Sequence, residues 1–382
     1  MSVRSPQPHQ PKGRCTRLSA AVVPLTALIL SIFRADPCPA AGLRDLEGTV
    51  CCEQGRSDRN EGHEKFEKGD LEGAVSAYTK AIARDANDKA AYNGRGRAKV
   101  ELGDPKGAIE DFNRVIDIDP ASAAAFNNRA TARTLTRDYD GAVADCTRAL
   151  ELAPDYVNAY LNRAVAKRGK RDYQGALDDA SKAVDRDPKN AAAFASRGKS
   201  RAYLTDWKGS LDDLGRSLAL RTTGSTYFDR GCVFYFSQSW GNAAADFRKA
   251  LETLPKERDQ PSLRLWLARV RLGEREAATK EWRAYLQARD PARRDDWYWK
   301  VSAFLLEETT EQDLLAAAGT GDAGEDRARS CEAHLYLGTR RLISGDRSGA
   351  MEHLKKCTDG GESNFYTVLN AVAELAAIEK GN

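Results

Sequence analysis

KAAYNGRGRAKVELGDPKGAIEDFNRVIDIDPAS, residues Lys89–Ser122, is the stretch whose reading decides the fold. Moved along the chain by 34 residues it nearly reads itself again, and the same step works twice more. A period of that length belongs to helical hairpins that cannot bury their apolar faces alone and so stack into a solenoid. Working outward in both directions, the units run over residues 55–88, 89–122, 123–156, 157–190, 191–223 and 224–257.

Each unit has the same internal design. Its first helix carries a small residue at the eighth place: Gly62, Gly96, Ala130, Ala164, Gly198 and Gly231. The second helix carries small residues at its crossing point, namely Ala74, Ala108, Ala142, Ala176, Ser210 and Ala243. Small side chains there let two backbones approach closely, while neighbours such as Phe112, Leu214 and Phe247 fill the remaining holes. Gly69-Asp70, Gly103-Asp104, Asp138, Asp172 and Asp206 suit a turn followed by a helix cap. Pro120, Pro154, Pro188 and Pro255 close units, because proline cannot continue a helix.

These residues resemble the tetratricopeptide repeat over roughly 55–257. The resemblance implies an all-α, right-handed superhelical solenoid of antiparallel hairpins. Its concave face, formed mainly by first helices, is expected to bind peptides or protein segments, with no catalytic activity. Residues 258–382 read as looser hairpins of the same kind. A seventh hairpin falls within 261–290, short helices over 297–306 and 311–318, an eighth hairpin over 331–358, and a helix over 365–378 that should cap the stack. The run WLARVRLG, AFLLEETTEQDLLAAA, CEAHLYLG and GDRSGAMEHLKKC is similar to the C-terminal half of exported bacterial NlpI-type lipoproteins. That similarity implies an envelope adaptor that docks cell-wall hydrolases or proteases. Cys38 follows Ala35-Asp36-Pro37, which departs from the lipid-attachment pattern.

The first 40 residues read as a secretory signal. Arg4, Lys12, Arg14 and Arg17 form a positive start, Leu18–Phe33 an apolar run short for a bilayer span, and Cys38-Pro-Ala40-Ala41 a small-residue site. Residues 41–54 read as a flexible lead-in carrying Cys51-Cys52. The expected location is therefore exported and periplasmic, or membrane-anchored if the segment is retained. Without residues 1–40 the net charge of +3 falls to about zero, whereas a nucleic-acid binder carries a clear basic excess.

One departure from the repeat pattern stands out. The seventh place, usually leucine, holds Arg95, Arg129, Arg163, Arg197 and Arg230, and the twenty-third place holds Asp111, Asp145, Asp179, Asp213 and Asp246. Both places lie equally far from the hairpin turn, which predicts a ladder of structural Arg–Asp pairs. Repeat register assigns the groove to Asn93, Arg97, Asn127, Thr131, Arg168, Lys199, Tyr203, Phe228 and Tyr235, together with His63, Cys232 and Phe236. Asparagine and arginine can hydrogen-bond a peptide backbone and its carboxylates, and the aromatics can seat apolar side chains.

Cys331 and Cys357 flank the last hairpin's turn at nearly equal distances, which suits a disulfide in an exported protein. Cys331-x-x-His334 and His353-x-x-x-Cys357 also have ligand-like spacing, so a zinc site or two free thiols stay open as alternatives. Gly319–Gly324 matches G-x-G-x-x-G, but no strand precedes it and Asp322, Glu325 and Asp326 would repel a phosphate. With four histidines and no nucleophile motif beside them, no enzyme and no cofactor are expected. The partners expected are other proteins, not nucleic acid, with a homodimer left open. Two functions compete: an interaction scaffold of the cell envelope, and a self-associating assembly factor of an envelope complex.

Overall fold

The computed structural model describes residues 46–254, 258–293, 296–321, 323–359 and 365–379, with backbone alone for 46–52, 323–325 and 365. The expected signal and residues 41–45 of the lead-in lie outside these residues, as do Pro255 and part of the Gly319–Gly324 stretch. Six hairpins open the chain: α1 (Leu46–Glu67) with α2 (Leu71–Arg84), α3 (Lys89–Glu101) with α4 (Pro105–Ile118), and α5 (Ala123–Leu135) with α6 (Tyr139–Leu152). They continue as α7 (Val157–Gly169) with α8 (Tyr173–Arg186), α9 (Ala191–Tyr203) with α10 (Trp207–Leu220), and α11 (Gly224–Phe236) with α12 (Trp240–Thr253). Then follow α13 (Asp259–Arg271), α14 (Arg275–Ala288), α15 (Trp297–Leu305), α16 (Glu311–Ala318), α17 (Ala323–Ile343), α18 (Arg347–Asp359) and α19 (Phe365–Glu379). The first helix starts at Leu46, so the supposed lead-in is largely the first turns of α1.

Five of the six hairpins are closed by the same local chemistry. Asp70, Asp104, Asp138, Asp172 and Asp206 cap α2, α4, α6, α8 and α10, each accepting from the backbone N–H of a glycine three residues on. The residue before each cap turns left-handed. Glycine holds that place at Gly69 and Gly103, but Arg137, Arg171 and Thr205 hold it in later units, with φ of 62°, 64° and 59°. A left-handed β-branched residue costs about 1–2 kcal/mol, and glycine returns about 0.5–1 kcal/mol of that in lost backbone entropy. Thr205→Gly is therefore expected to stabilise the chain by about 0.5–1 kcal/mol in a denaturation curve. Thr205 is exposed, so no packing is lost with it.

Close helix approach follows from the small residues. A Cβ added at Gly96 would stand 2.7 Å from the Phe112 ring, and one at Gly231 would stand 2.8 Å from Phe247. First helices touch first helices in sequence, from α1·α3 through α5·α7 and α7·α9 to α11·α13, which makes one continuous concave face. The core changes character along the stack. In the first four units it is a string of small clusters around alanines such as Ala74, Ala108, Ala142 and Ala176. From α9 onward Leu214, Phe247, Trp266, Trp282, Phe304 and Leu335 join one large core.

The helix expected to cap the stack does so and reaches further. It packs on α17 and α18 and also returns to α11, so the C-terminal end of the chain folds back toward the concave face. Among the described residues no helix is long and apolar enough to cross a membrane.

Candidate partner-binding groove

The ladder takes most of the charge out of consideration. Arg95 Nε and Nη2 donate to Asp111 at 3.0 and 2.6 Å, and Arg129, Arg163, Arg197 and Arg230 repeat this fork on Asp145, Asp179, Asp213 and Asp246. All five aspartates are buried. Each guanidinium also lies against an aromatic ring one turn earlier, on Tyr92, Phe126, Tyr160, Phe194 and Tyr227.

A second cation joins four of the rungs. Lys99, Arg133, Lys167 and Arg201 reach Asp111, Asp145, Asp179 and Asp213 at 2.8–2.9 Å. In the last rung this place is Phe234. The aspartates hold Arg163, Arg197 and Arg230 above the ordinary arginine pKa, chiefly through these hydrogen bonds.

Beside the ladder, a polar seam runs from unit to unit. Asn128 donates to Asn93 at 2.9 Å, and Asn162 donates to Asn127 at 2.9 Å and to Thr131 at 3.0 Å. Asn127 is buried by this network, while Asn93 and Thr131 stay half-buried. The amides thus spend part of their capacity on register between repeats and keep the rest for the groove. Arg97 is exposed and lies 4.8 Å over the Phe66 ring. Lys199 is paired with Asp229 at 2.7 Å, so its charge is compensated. Tyr203 stacks on Tyr173 with ring centres 4.2 Å apart. Arg168 lines a 360 Å³ cleft with Asn162, Ser196, Lys199, Thr226 and Asp229.

The aromatic end of the groove is not open. Tyr235, Cys232 and Phe236 are buried, with Tyr235 packed on Trp240 and Phe236. The expectation that Tyr235 lines an open groove is corrected by this burial. α19 completes the cover: the Tyr366 hydroxyl donates to Asp229, its ring meets Phe228 edge-on at 5.1 Å, and Glu374 accepts from Arg271 at 2.6 Å. Phe228 itself is half-buried and lines a second cleft of 1060 Å³ with Tyr285, Arg258 and Tyr366.

Cys331 and Cys357 form a disulfide that ties α17 to α18. Among the described residues no group of three or more histidines, cysteines or acids is placed to hold a metal ion. One turn from the disulfide, His334 Nδ1 and His353 Nδ1 are 3.0 Å apart, so one ring must donate and the other accept. Burial pulls both below the ordinary histidine pKa, His353 and Lys356 adding to the effect on His334, and Arg341 and Lys356 to that on His353, against weaker help from Glu352 and Glu311.

A histidine depressed on folding contributes stability that is present above its unfolded value, 6.5 for each, and is lost as pH falls through it. The α17–α18 hairpin is therefore expected to melt earlier at about pH 5 than at about pH 7. His353→Phe should flatten that response in a calorimetric pH series, and an unchanged slope would clear the pair of any role.

A tetratricopeptide-repeat family profile matches residues 59–123 and 127–191. No curated protein sequence matches the chain. Among solved structures, a tetratricopeptide repeat protein from Parabacteroides merdae is 19% identical and aligns over 59% of this chain and 86% of its own, with a TM-score of 0.50. A thermophilic repeat protein from Thermus thermophilus is 21% identical over 46% of this chain and 96% of its own, with a TM-score of 0.43. MamA from Desulfovibrio magneticus is 21% identical over 44% and 94%, with a TM-score of 0.40. At such identities the likeness concerns fold alone. The repeat register and the matched profile together show tetratricopeptide repeats over residues 59–123 and 127–191 of this chain.

Proposed function

We propose that the chain is an exported adaptor of the bacterial cell envelope that holds an extended segment of a partner protein along α3–α9. The observation that carries this reading is the asymmetry of the concave face. Its first half presents the Asn93–Asn128 and Asn127–Asn162–Thr131 seam and the Arg168 cleft, while its second half is already covered by α19. An extended backbone needs donors and acceptors at regular spacing, and such a seam supplies one set per unit. Three features support export: the layout of the first 40 residues, the Cys331–Cys357 disulfide and the C-terminal similarity to envelope proteins. That similarity makes cell-wall hydrolases or proteases the partner class.

Affinity capture from envelope extract, read by mass spectrometry, tests the reading. Thr131→Trp, which fills the seam without touching the ladder, should lose the captured enzyme. Recovery of the chain's own copies alone would favour self-assembly instead. Capture that survives Thr131→Trp would remove the groove from the account. N-terminal sequencing of the cell-derived protein tests export directly: a mature start near Ala41 is expected.

A further inference from the structure

The α17–α18 hairpin brings together two of the chain's four histidines, far from the asparagine seam. Cys331 stands three residues before His334 and Cys357 four after His353, so each cysteine shares a helix face with its histidine. The disulfide consumes both thiols and fixes the register in which the imidazoles meet. Their Nδ1 atoms are 3.0 Å apart, with the ring planes 30° from parallel. Among the described residues neither Nε2 has a hydrogen-bond partner, so the bond between the rings is all that orients them.

The surroundings favour a cation. Arg341 of α17 and Lys356 of α18 act on the pair from the positive side, and Glu311 of α16, Asp346 and Glu352 from the negative side. Both positive groups are already engaged, Arg341 by Glu311 and Asp346 at 2.9 Å and Lys356 by Glu352 at 2.7 Å. Glu311, Arg341 and Asp346 also line a 780 Å³ cleft whose walls carry five carboxylates against three arginines. A cleft with that excess concentrates positive ions. Burial keeps both imidazoles in the neutral form, the form with a lone pair to give.

We propose that His334 and His353 chelate a divalent transition-metal ion of the zinc or nickel class between α17 and α18. Two nitrogens bound to one ion at about 2.0–2.1 Å stand about 3.0–3.4 Å apart, from octahedral to tetrahedral angles. The observed separation falls at the short end of that span. Each ring has only to turn about its Cβ–Cγ bond to aim its lone pair at the ion, and no other hydrogen bond resists the turn. The proton shared between the two Nδ1 atoms moves to the Nε2 of its own ring, so both rings bind in one tautomer and no net proton is released. Imidazole selects zinc, nickel or copper over magnesium and calcium, which take oxygen ligands. Water fills the remaining positions. The disulfide one turn away holds the two ligands in place before the ion arrives.

The test titrates the full chain with zinc and, separately, with nickel, without reductant and with the free thiols alkylated so that cysteine cannot compete. Calorimetry should count one ion per chain that excess magnesium or calcium does not displace. Hydrogen exchange should slow across 331–357 when zinc is bound. His334→Gln and His353→Gln should each weaken binding by at least about 10-fold, whereas His63→Gln should leave it unchanged. Equal binding by wild type and both variants places the ion elsewhere and overturns the assignment. Loss in only one of the two reveals a single imidazole rather than a chelate and also overturns it. Absence of binding to wild type leaves a hydrogen-bonded histidine pair and nothing more. Circular dichroism verifies that the variants fold; if either does not, the exchange map of wild type decides, because zinc protection away from α17 and α18 sinks the site.

Discussion

Asp179→Ala is expected to cost about 3–5 kcal/mol, more than any loss of a single arginine from the ladder. Asp179 is 1% exposed and is held by two cations at once, Arg163 at 2.7 Å and Lys167 at 2.8 Å. Removing the acid strands both charges on one face of α7, a turn apart. The lysine has a way out, because its flexible stem can carry the ammonium to water. Arg163 has none: its ring neighbour is Tyr160, its Nη1 is tied to Thr147 of the preceding unit, and only its edge reaches solvent.

The cost of Asp179→Ala is thus mainly an uncompensated guanidinium. The double variant Asp179→Ala with Arg163→Met should recover much of the loss, since replacing both partners by apolar groups is far cheaper than removing one. Arg163→Met alone leaves Asp179 with Lys167 and should cost about 1–2 kcal/mol. Asp246→Ala should cost less than Asp179→Ala, because Phe234 stands where the second cation would be. Chemical denaturation followed by circular dichroism measures all four. A loss below about 1 kcal/mol for Asp179→Ala would place the rung among ordinary surface pairs.

That comparison also shows what can be read from a repeat sequence. The hairpin turn makes residues at equal distances from it face each other, so an Arg and an Asp sixteen residues apart are legible as a pair. Lys99, Arg133, Lys167 and Arg201 recur one helical turn beyond the arginines, and the same periodicity exposes them. Their role is missed because an exposed-looking Lys at that spacing reads as a solvated face. The asparagine seam is half legible. Repeat register places Asn93 and Asn127 on the concave side, but the partners Asn128 and Asn162 lie one place further in the next unit and become visible only when the units are stacked.

The groove's C-terminal end fails for a different reason. Local pattern assigns Tyr235 to a first helix and hence to the concave face, which is correct as far as the helix goes. Nothing local says that a segment 137 residues after Asp229 returns to cover that face. The closure depends on the rotation contributed by every intervening hairpin, including the short α15 and α16, and no single stretch encodes it. Lys199 lines the cleft as register places it, but its pairing is hidden for the same reason. Its partner Asp229 sits on the next first helix, and the pair closes a contact that register alone leaves open.

Glu374→Ala is expected to release α19 from the concave face while the ladder repeats stay folded. The helix is seated by polar anchors, chiefly Tyr366 on Asp229 and Glu374 on Arg271 with weaker bonds from Thr367 to Glu332 and from Arg264 to the Tyr366 carbonyl, and by the burial of Leu369 and Ala371. Its interface is imperfect. Arg264 Nε and Nη1 and both side-chain polar atoms of Asn370 are buried without a partner among the described residues, and such groups subtract from the gain of the apolar contact. Deleting the carboxylate leaves Arg271 uncompensated beside Tyr235, and undocking α19 is the cheapest relief.

Hydrogen exchange should rise across 365–379, and Phe228 should become reachable by a partner's apolar side chain, with α3–α8 unchanged. The pH response carries a sign. Burial pushes the Glu374 carboxyl above its ordinary value against the opposing pull of Arg271. A raised carboxyl binds its proton more tightly when docked, so the helix is held best at acid pH and loosens as pH rises through that value. Glu374→Gln, which keeps an acceptor for Arg271 and carries no charge to bury, should stay docked better than Glu374→Ala and lose the pH response. Exchange in α19 that is the same in wild type and Glu374→Ala would mean that apolar burial alone seats the helix.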